Sequence, residues 1–203
     1  MVGNDVVDLG DSEARAAARH PRFDSRVFAP SELRWIDESD DDHLLRWSLW
    51  AAKESAYKIA RRRDPRTVFA PSRFVIERAA SRCIRVHHER DCYPVTVSVR
   101  GGCVHAVASF PRSEASVVLS GAEPHERGPD AEAGRAARSL AITRVAAWLC
   151  VDPSCLWIER DGRIPRLRRR DDGRDVAPLS LSHHGRFVAF ACALPERGAE
   201  ALT

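Results

Sequence analysis

Glu54 and Lys58 stand four residues apart in Trp47-Ser48-Leu49-Trp50-Ala51-Ala52-Lys53-Glu54-Ser55-Ala56-Tyr57-Lys58, a stretch that reads as the middle of a helix. A spacing of four places the two side chains one above the other on one helix face. A carboxylate and an ammonium held this way can serve a cation and a phosphate together. The plainer reading is a solvated ion pair worth ~0.3–0.5 kcal/mol, and spacing alone favours it. Another carboxylate, Asp5, interrupts the Val-rich run of residues 2–9. A charge inside an otherwise apolar strand needs a partner or a metal, because an unpaired buried charge is costly. Asp8 lies three positions on, facing away from Asp5, and reads as a strand-end polar residue.

Periodicity predicts the elements that must hold these groups. Leu45, Leu49, Ala52, Ala56 and Ile59 form one apolar stripe, so a helix is expected from about 43 to 63, stopped by Asp64-Pro65. The alanine-rich residues 12–19 predict a helix ended by Pro21, and Ser31 can cap a short helix from Glu32 to about Asp37. Phe74–Glu77, Cys83–His87, Val95–Val99 and Val104–Phe110 read as strands, with Gly101-Gly102 turning between the last two. Val117–Leu119 extend or follow this sheet. Residues 120–134, rich in Gly, Pro and acids, suit a linker or surface loop. A second helix is expected over about 131–150, with Ala137, Leu140, Ala141, Val145, Trp148 and Leu149 as its stripe. The strand Leu156–Glu159, a turn at Asp161-Gly162 and the apolar strand Arg186–Leu194 complete the chain. Each half thus offers a helix, short strands and a closing apolar strand. The expected fold is α+β: two similar halves related by a pseudo-twofold, each a small antiparallel sheet packed with a long helix. The expected division is 1–112, a linker at 113–130, and 131–203.

The chain of 203 residues is 44% hydrophobic, enough for one sizeable core or two small ones. The net charge of +3 is unevenly spread, with an acidic run at 37–42 and basic runs at 61–63 and 166–170. No aromatic residues interleave the arginines, which argues against a nucleic-acid binder. The six cysteines form no C-x-x-C pair and no zinc-finger spacing, as suits single thiols in a reducing compartment. No apolar run approaches the roughly 18 residues of a membrane span, and Asp5 and Asp8 break any leader pattern. A cytoplasmic protein with no membrane partner is expected.

The helix W-x-x-K-E-S-x-x-K, from Trp50 to Lys58, resembles the signature helix of the 4′-phosphopantetheinyl transferases. Gly3-Asn4-Asp5-Val6-Val7 resembles that family's G-x-D-x-V strand, and Phe28-Ala29-Pro30-Ser31-Glu32-Leu33 its F-x-x-x-E-L segment. In the second half, Ser180-Leu181-Ser182-His183-His184-Gly185 resembles its S-x-S-H-x-G segment. Asp161-Gly162-Arg163-Ile164-Pro165 resembles its G-K-P turn, with Arg for Lys and an extra Ile. In two-half members the last two motifs precede the G-x-D strand, whereas here they follow it. Two explanations stand: a short, trimer-forming type enlarged by an insertion, or a two-half enzyme with its halves circularly permuted. The second is preferred.

The resemblance implies transfer of the phosphopantetheine arm of coenzyme A to a serine of an apo acyl or peptidyl carrier protein, releasing 3′,5′-adenosine bisphosphate. It implies Mg²⁺ held by Asp5 and Glu54, with Val7 where many two-half members carry a further acid. Lys58 would touch the phosphates or protonate the leaving oxygen, and Lys53 would make a phosphate or carrier contact. The serine proton would go to Glu54, to Glu32 or to a metal-bound water. Ser182 and His183 would contact coenzyme A phosphate, joined by Arg135, Arg138 and Arg163, with His184 facing away. Arg61, Arg62 and Arg63 would steer an acidic carrier. A permuted enzyme would be a monomer, an enlarged short type a trimer. The alternative function is a catalytically degenerate module that binds coenzyme A or a carrier.

Overall fold

The computed structural model describes residues 1–78, 83–110, 116–126, 128–162 and 164–196. The first strand, β1 (Val2–Asp8), is buried along its whole length, which is why its sequence shows no alternation. Two short helices follow, α1 (Phe23–Val27) and α2 (Pro30–Asp37). The long helix α3 (Asp42–Arg63) begins at Asp41, whose carboxylate accepts from Leu44 N at 2.8 Å, and ends before Pro65. Its stripe of Leu49, Ala52, Ala56 and Ile59 is buried against the sheet. The small residues let β1 approach closely: a Cβ at Gly3 would lie 2.1 Å from Ser55 O.

The strands β2 (Val75–Arg78), β3 (Cys83–His88), β4 (Asp91–Arg100) and β5 (Cys103–Ser109) then form a meander, and β1 returns to pair with β5. The second half repeats this plan. It runs β6 (Ser116–Pro124), α4 (Asp130–Leu149), β7 (Leu156–Asp161), β8 (Ile164–Arg169), β9 (Asp175–His184) and β10 (Phe187–Pro195). The antiparallel sheets are ordered β1-β5-β4-β3-β2 and β6-β10-β9-β8-β7. In both, one strand precedes the helix and pairs with the last strand of the meander that follows it. This is the pair of similar α+β halves expected. Each helix covers one sheet face and closes its own core. Val6 and Cys103 meet Phe187 and Ala189 where the halves touch. Among the described residues no helix is long and apolar enough to cross a membrane.

Three local expectations are corrected. Residues 12–19 hold only a 3-10 turn at Ala16–Ala18. Ala14 O, which a helix would use, accepts instead from Trp47 Nε1 at 2.9 Å. α2 is capped not by Ser31 but by Glu32, whose carboxylate reaches back to Ala29 N at 2.8 Å. Finally, the stretch 113–130, expected as a linker, contains β6, which opens the second sheet by pairing with β10. Gly121 gives β6 its loop-like look, yet it sits over the Phe190 ring, 3.2 Å from where a Cβ would be.

Candidate active site

Asp5 projects from β1 toward α3, where Lys58 Nζ lies 2.9 Å from Asp5 Oδ1 and 3.8 Å from Glu54 Oε1. Lys58 also donates to Asn4 O at 2.8 Å. Burial pushes the Asp5 carboxyl up, against the pull of Lys58. Burial, then the charge of Asp5, raises Glu54 to about 7. Burial opposes the Lys58 charge, but the two carboxylates outweigh it and hold the ammonium above its usual range. Burial and mutual repulsion thus hold the two carboxyls back from ionising together, and one ammonium does not relieve this. A dication of the Mg²⁺ kind between such hard oxygen donors would.

The facing wall is β9. Ser180 Oγ accepts from Asn4 N at 3.0 Å, Ser182 Oγ from Asn4 Nδ2 at 2.8 Å, and His184 Nδ1 from Asp8 N at 3.0 Å. The free edge of β1 is therefore stitched to the second half by side chains rather than by a backbone ladder. At its end the Asp8 carboxylate, fully buried, takes three hydrogen bonds from Arg186 through N, Nε and NH2. These hold Asp8 down to about 2. It is an inter-half clasp, not the strand-end polar residue expected. Ser182 is buried beside Asn4, while His183 is exposed. Partial burial, with the charges of Lys58 and Arg160, holds the His183 ring below its usual range against the pull of Asp130. Asp5, Glu54 and Lys58 thus meet on the first half, and from the second half His183 lies close enough for the Lys58 charge to act on its ring, while Ser182, on the other face of β9, is taken up by Asn4.

Arg135 and Arg138 lie on the first turns of α4 and line an open cavity of about 380 Å³ with Gly134, Ile158 and Arg160. Burial and its neighbours Arg160 and Arg135 lower the Arg138 guanidinium. Arg135 is paired with Glu132 at 3.7 Å, which leaves Arg138 and Arg160 as the cations without a carboxylate partner among the described residues, and such a pair suits an anion. Arg160 was not anticipated from the sequence; its position directly before the Asp161-Gly162 turn was the available signal. Arg163 lies outside the described residues.

Two expected site residues lie elsewhere. Lys53 Nζ pairs with Glu32 Oε2 at 2.6 Å, both side chains at 0% exposure. Lys53 further donates to Phe74 O at 2.7 Å and Pro71 O at 3.1 Å, and Glu32 accepts from Ile76 N at 2.7 Å. Being one residue before Glu54, Lys53 is turned roughly 100° from it, and that direction is the core. Burial pulls its ammonium down, with Glu32 opposing. Both belong to packing, and neither reaches the cleft. The basic run is also mostly committed. Arg63 pairs with Asp91 at 2.5 Å and lies over the Phe110 ring, and Arg62 bonds backbone carbonyls of both halves. Arg61, exposed like Arg63, donates to Tyr57 OH at 2.7 Å and has no carboxylate partner among the described residues.

Asp11, Glu13 and His184 also bring ligand atoms within 4.8 Å of one another. A backbone N–H can only donate, so His184 Nδ1 accepts from Asp8 and the neutral ring carries its proton on Nε2. That nitrogen is then a donor, not a metal ligand, so Asp5 and Glu54 remain the better cation pair.

A sequence profile described as the 4′-phosphopantetheinyl transferase superfamily matches residues 1–107, which include β1, α3 and the three residues Asp5, Glu54 and Lys58. No match is found among curated proteins.

Proposed function

The chain belongs to the 4′-phosphopantetheinyl transferase superfamily, and on that premise we propose that it moves the phosphopantetheine arm of coenzyme A to a serine of an apo acyl or peptidyl carrier protein. 3′,5′-Adenosine bisphosphate is the other product. The observation that carries this reading is the Lys58 ammonium set between Asp5 and Glu54, with its charge reaching His183 of the second half. Asp5 and Glu54 would hold Mg²⁺, which when bound neutralises pyrophosphate charge.

This chain's own residues then have distinct tasks. Lys58 is a point charge suited to a phosphate oxygen and to the oxygen that leaves. Asp5, through its 2.9 Å contact, keeps that ammonium charged and aimed. With Glu32 in the core, the serine proton is left to Glu54 or to solvent. His183 offers an exposed imidazole within reach of the charges of Lys58 and Arg160, and Arg160 also lines the cavity with Arg135 and Arg138, a place for further phosphate charge. Ser182 is tied to Asn4, so it acts through the wall it builds as well as through its oxygen.

The repeat of strand, helix and four-strand meander supports the permuted two-half reading over an insertion into a short type. One chain supplies both walls, so a monomer is proposed.

The experiment is turnover with coenzyme A, Mg²⁺ and an apo carrier, following 3′,5′-adenosine bisphosphate by chromatography. Carrier-dependent release is expected. Tight binding of coenzyme A with no release for any carrier would replace this reading with that of a degenerate binding module.

A further inference from the structure

Arg62 is a cation between the halves with no carboxylate paired to it among the described residues. It sits on α3 one turn after Lys58, half-buried, and its NH1 and NH2 donate to Val2 O at 2.9 Å and Leu179 O at 2.5 Å. These carbonyls belong to β1 and β9, one from each half. A guanidinium carries five N–H donors, so this clasp leaves others unused. Burial lowers the group to about 10, and no carboxylate's charge opposes that fall. A desolvated cation is costly unless an anion compensates it.

The surroundings supply room for that anion. Arg62 lines a cavity of about 430 Å³ between the halves, together with Tyr57, Lys58, Arg61, Pro165 and Ser180. Among its lining residues Lys58, Arg61 and Arg62 are cations and Asp161 is the single acid. Lys58 is already engaged by Asp5 and Glu54. The uncompensated charge in this cleft is therefore that of Arg62 and of Arg61 at its mouth.

We propose that Arg62 is a phosphate-binding residue of the inter-half cleft, holding the two walls together through the carbonyls while offering its remaining N–H groups to a phosphate oxygen of the substrate beside Lys58. Guanidinium geometry suits both tasks, since its planar fork can bond in several directions at once. This assignment rests on the transferase reading for the identity of the substrate, coenzyme A. The anion chemistry, a phosphate or pyrophosphate, rests on Arg62 and its cavity alone.

The test is calorimetric binding of coenzyme A and, separately, of inorganic pyrophosphate in metal-free buffer. Arg62→Met removes charge and donors. Arg62→Gln removes the charge but keeps a donor for the carbonyls, and it decides the matter if the methionine variant does not fold. Arg62→Lys restores the charge. The neutral variants should bind both probes at least tenfold more weakly, with Arg62→Lys within about threefold of the wild type. A folded neutral variant that binds both probes within twofold of wild type would overturn the assignment, even if the transferase reading stands. Wild type that binds pyrophosphate but not coenzyme A, with that binding lost in the neutral variants, would keep Arg62 as an anion site and remove the transferase reading instead.

Discussion

Lys58 Nζ is bonded to Asp5 Oδ1 at 2.9 Å across the junction of α3 and β1. The strand thus fixes the end of a lysine that the helix alone would leave mobile. Replacing Asp5 by Asn should keep the shape but free the ammonium and remove one cation ligand. Turnover is expected to fall on the order of 10²-fold or more, about 3 kcal/mol. Lys58→Met should fall by a similar factor, and the double variant by little more than either, because the two act as a unit. Independent, additive losses in steady-state kinetics would contradict the coupling.

The Glu32–Lys53 pair is predicted to matter for folding and not for turnover per folded molecule. Removing one partner strands the other charge in the core, which costs about 3–5 kcal/mol. Lys53→Met should show this in urea unfolding. Glu32→Gln combined with Lys53→Met leaves no charge stranded and should be more stable than Lys53→Met alone. A stable Lys53→Met protein with defective catalysis would return Lys53 to the site.

The residues that could be read early share a property: their signal is local. The stripe on α3 and the Gly3–Asp5 strand needed only neighbours in sequence, and the strands from 74 to 110 announced themselves by β-branched runs. What stayed hidden depends on distant pairing. Lys53 looked polar and exposed because its partner Glu32 is 21 residues away and equally buried. Asp8 reads as a strand-end polar residue because Arg186 is 178 residues off. Arg62 read as one of a basic run, and only the fold brings Val2 and Leu179 to it. The later part of β6 reads as linker because Gly121 and Pro124 obscure its pattern, although its pairing with β10 is what builds the second half.

Acid should weaken the fold over two successive pH ranges. Burial, then the charge of Lys58, pushes the His105 ring down to about 4, below its ordinary value near 6.5. The unfolded chain therefore takes up that proton first, and stability present above about 6.5 is lost as pH falls toward 4. Asp8, held at about 2 by Arg186, contributes stability above its ordinary 3.8 that is lost on the way down to 2. His105→Gln should flatten the first limb, reducing the stability difference between pH 7 and pH 4.5 by about 2 kcal/mol. Urea midpoints across this range check it; an unchanged slope would mean the ring is not held neutral.

The permuted arrangement predicts tolerance to reversing it. Met1 and Glu196 border the same cavity, so a linker from 196 to 1 has a short span to cross. New ends belong between Phe110 and Ser116, not within 120–130, where they would cut β6 or crowd α4. Such a chain should remain a folded monomer with wild-type turnover. Sedimentation giving a stable trimer for the natural chain would favour the enlarged short type.

Transfer of the phosphopantetheine arm is read off the carrier itself by intact-mass spectrometry. Several apo carriers are incubated with coenzyme A, millimolar Mg²⁺ and either the wild-type protein or Glu54→Ala. Wild type should add the mass of one phosphopantetheine to at least one carrier, at its acceptor serine, and Glu54→Ala should do so at least 10²-fold more slowly. A carrier modified at the same rate by Glu54→Ala, or wild-type protein that modifies none of them, would contradict the transferase reading.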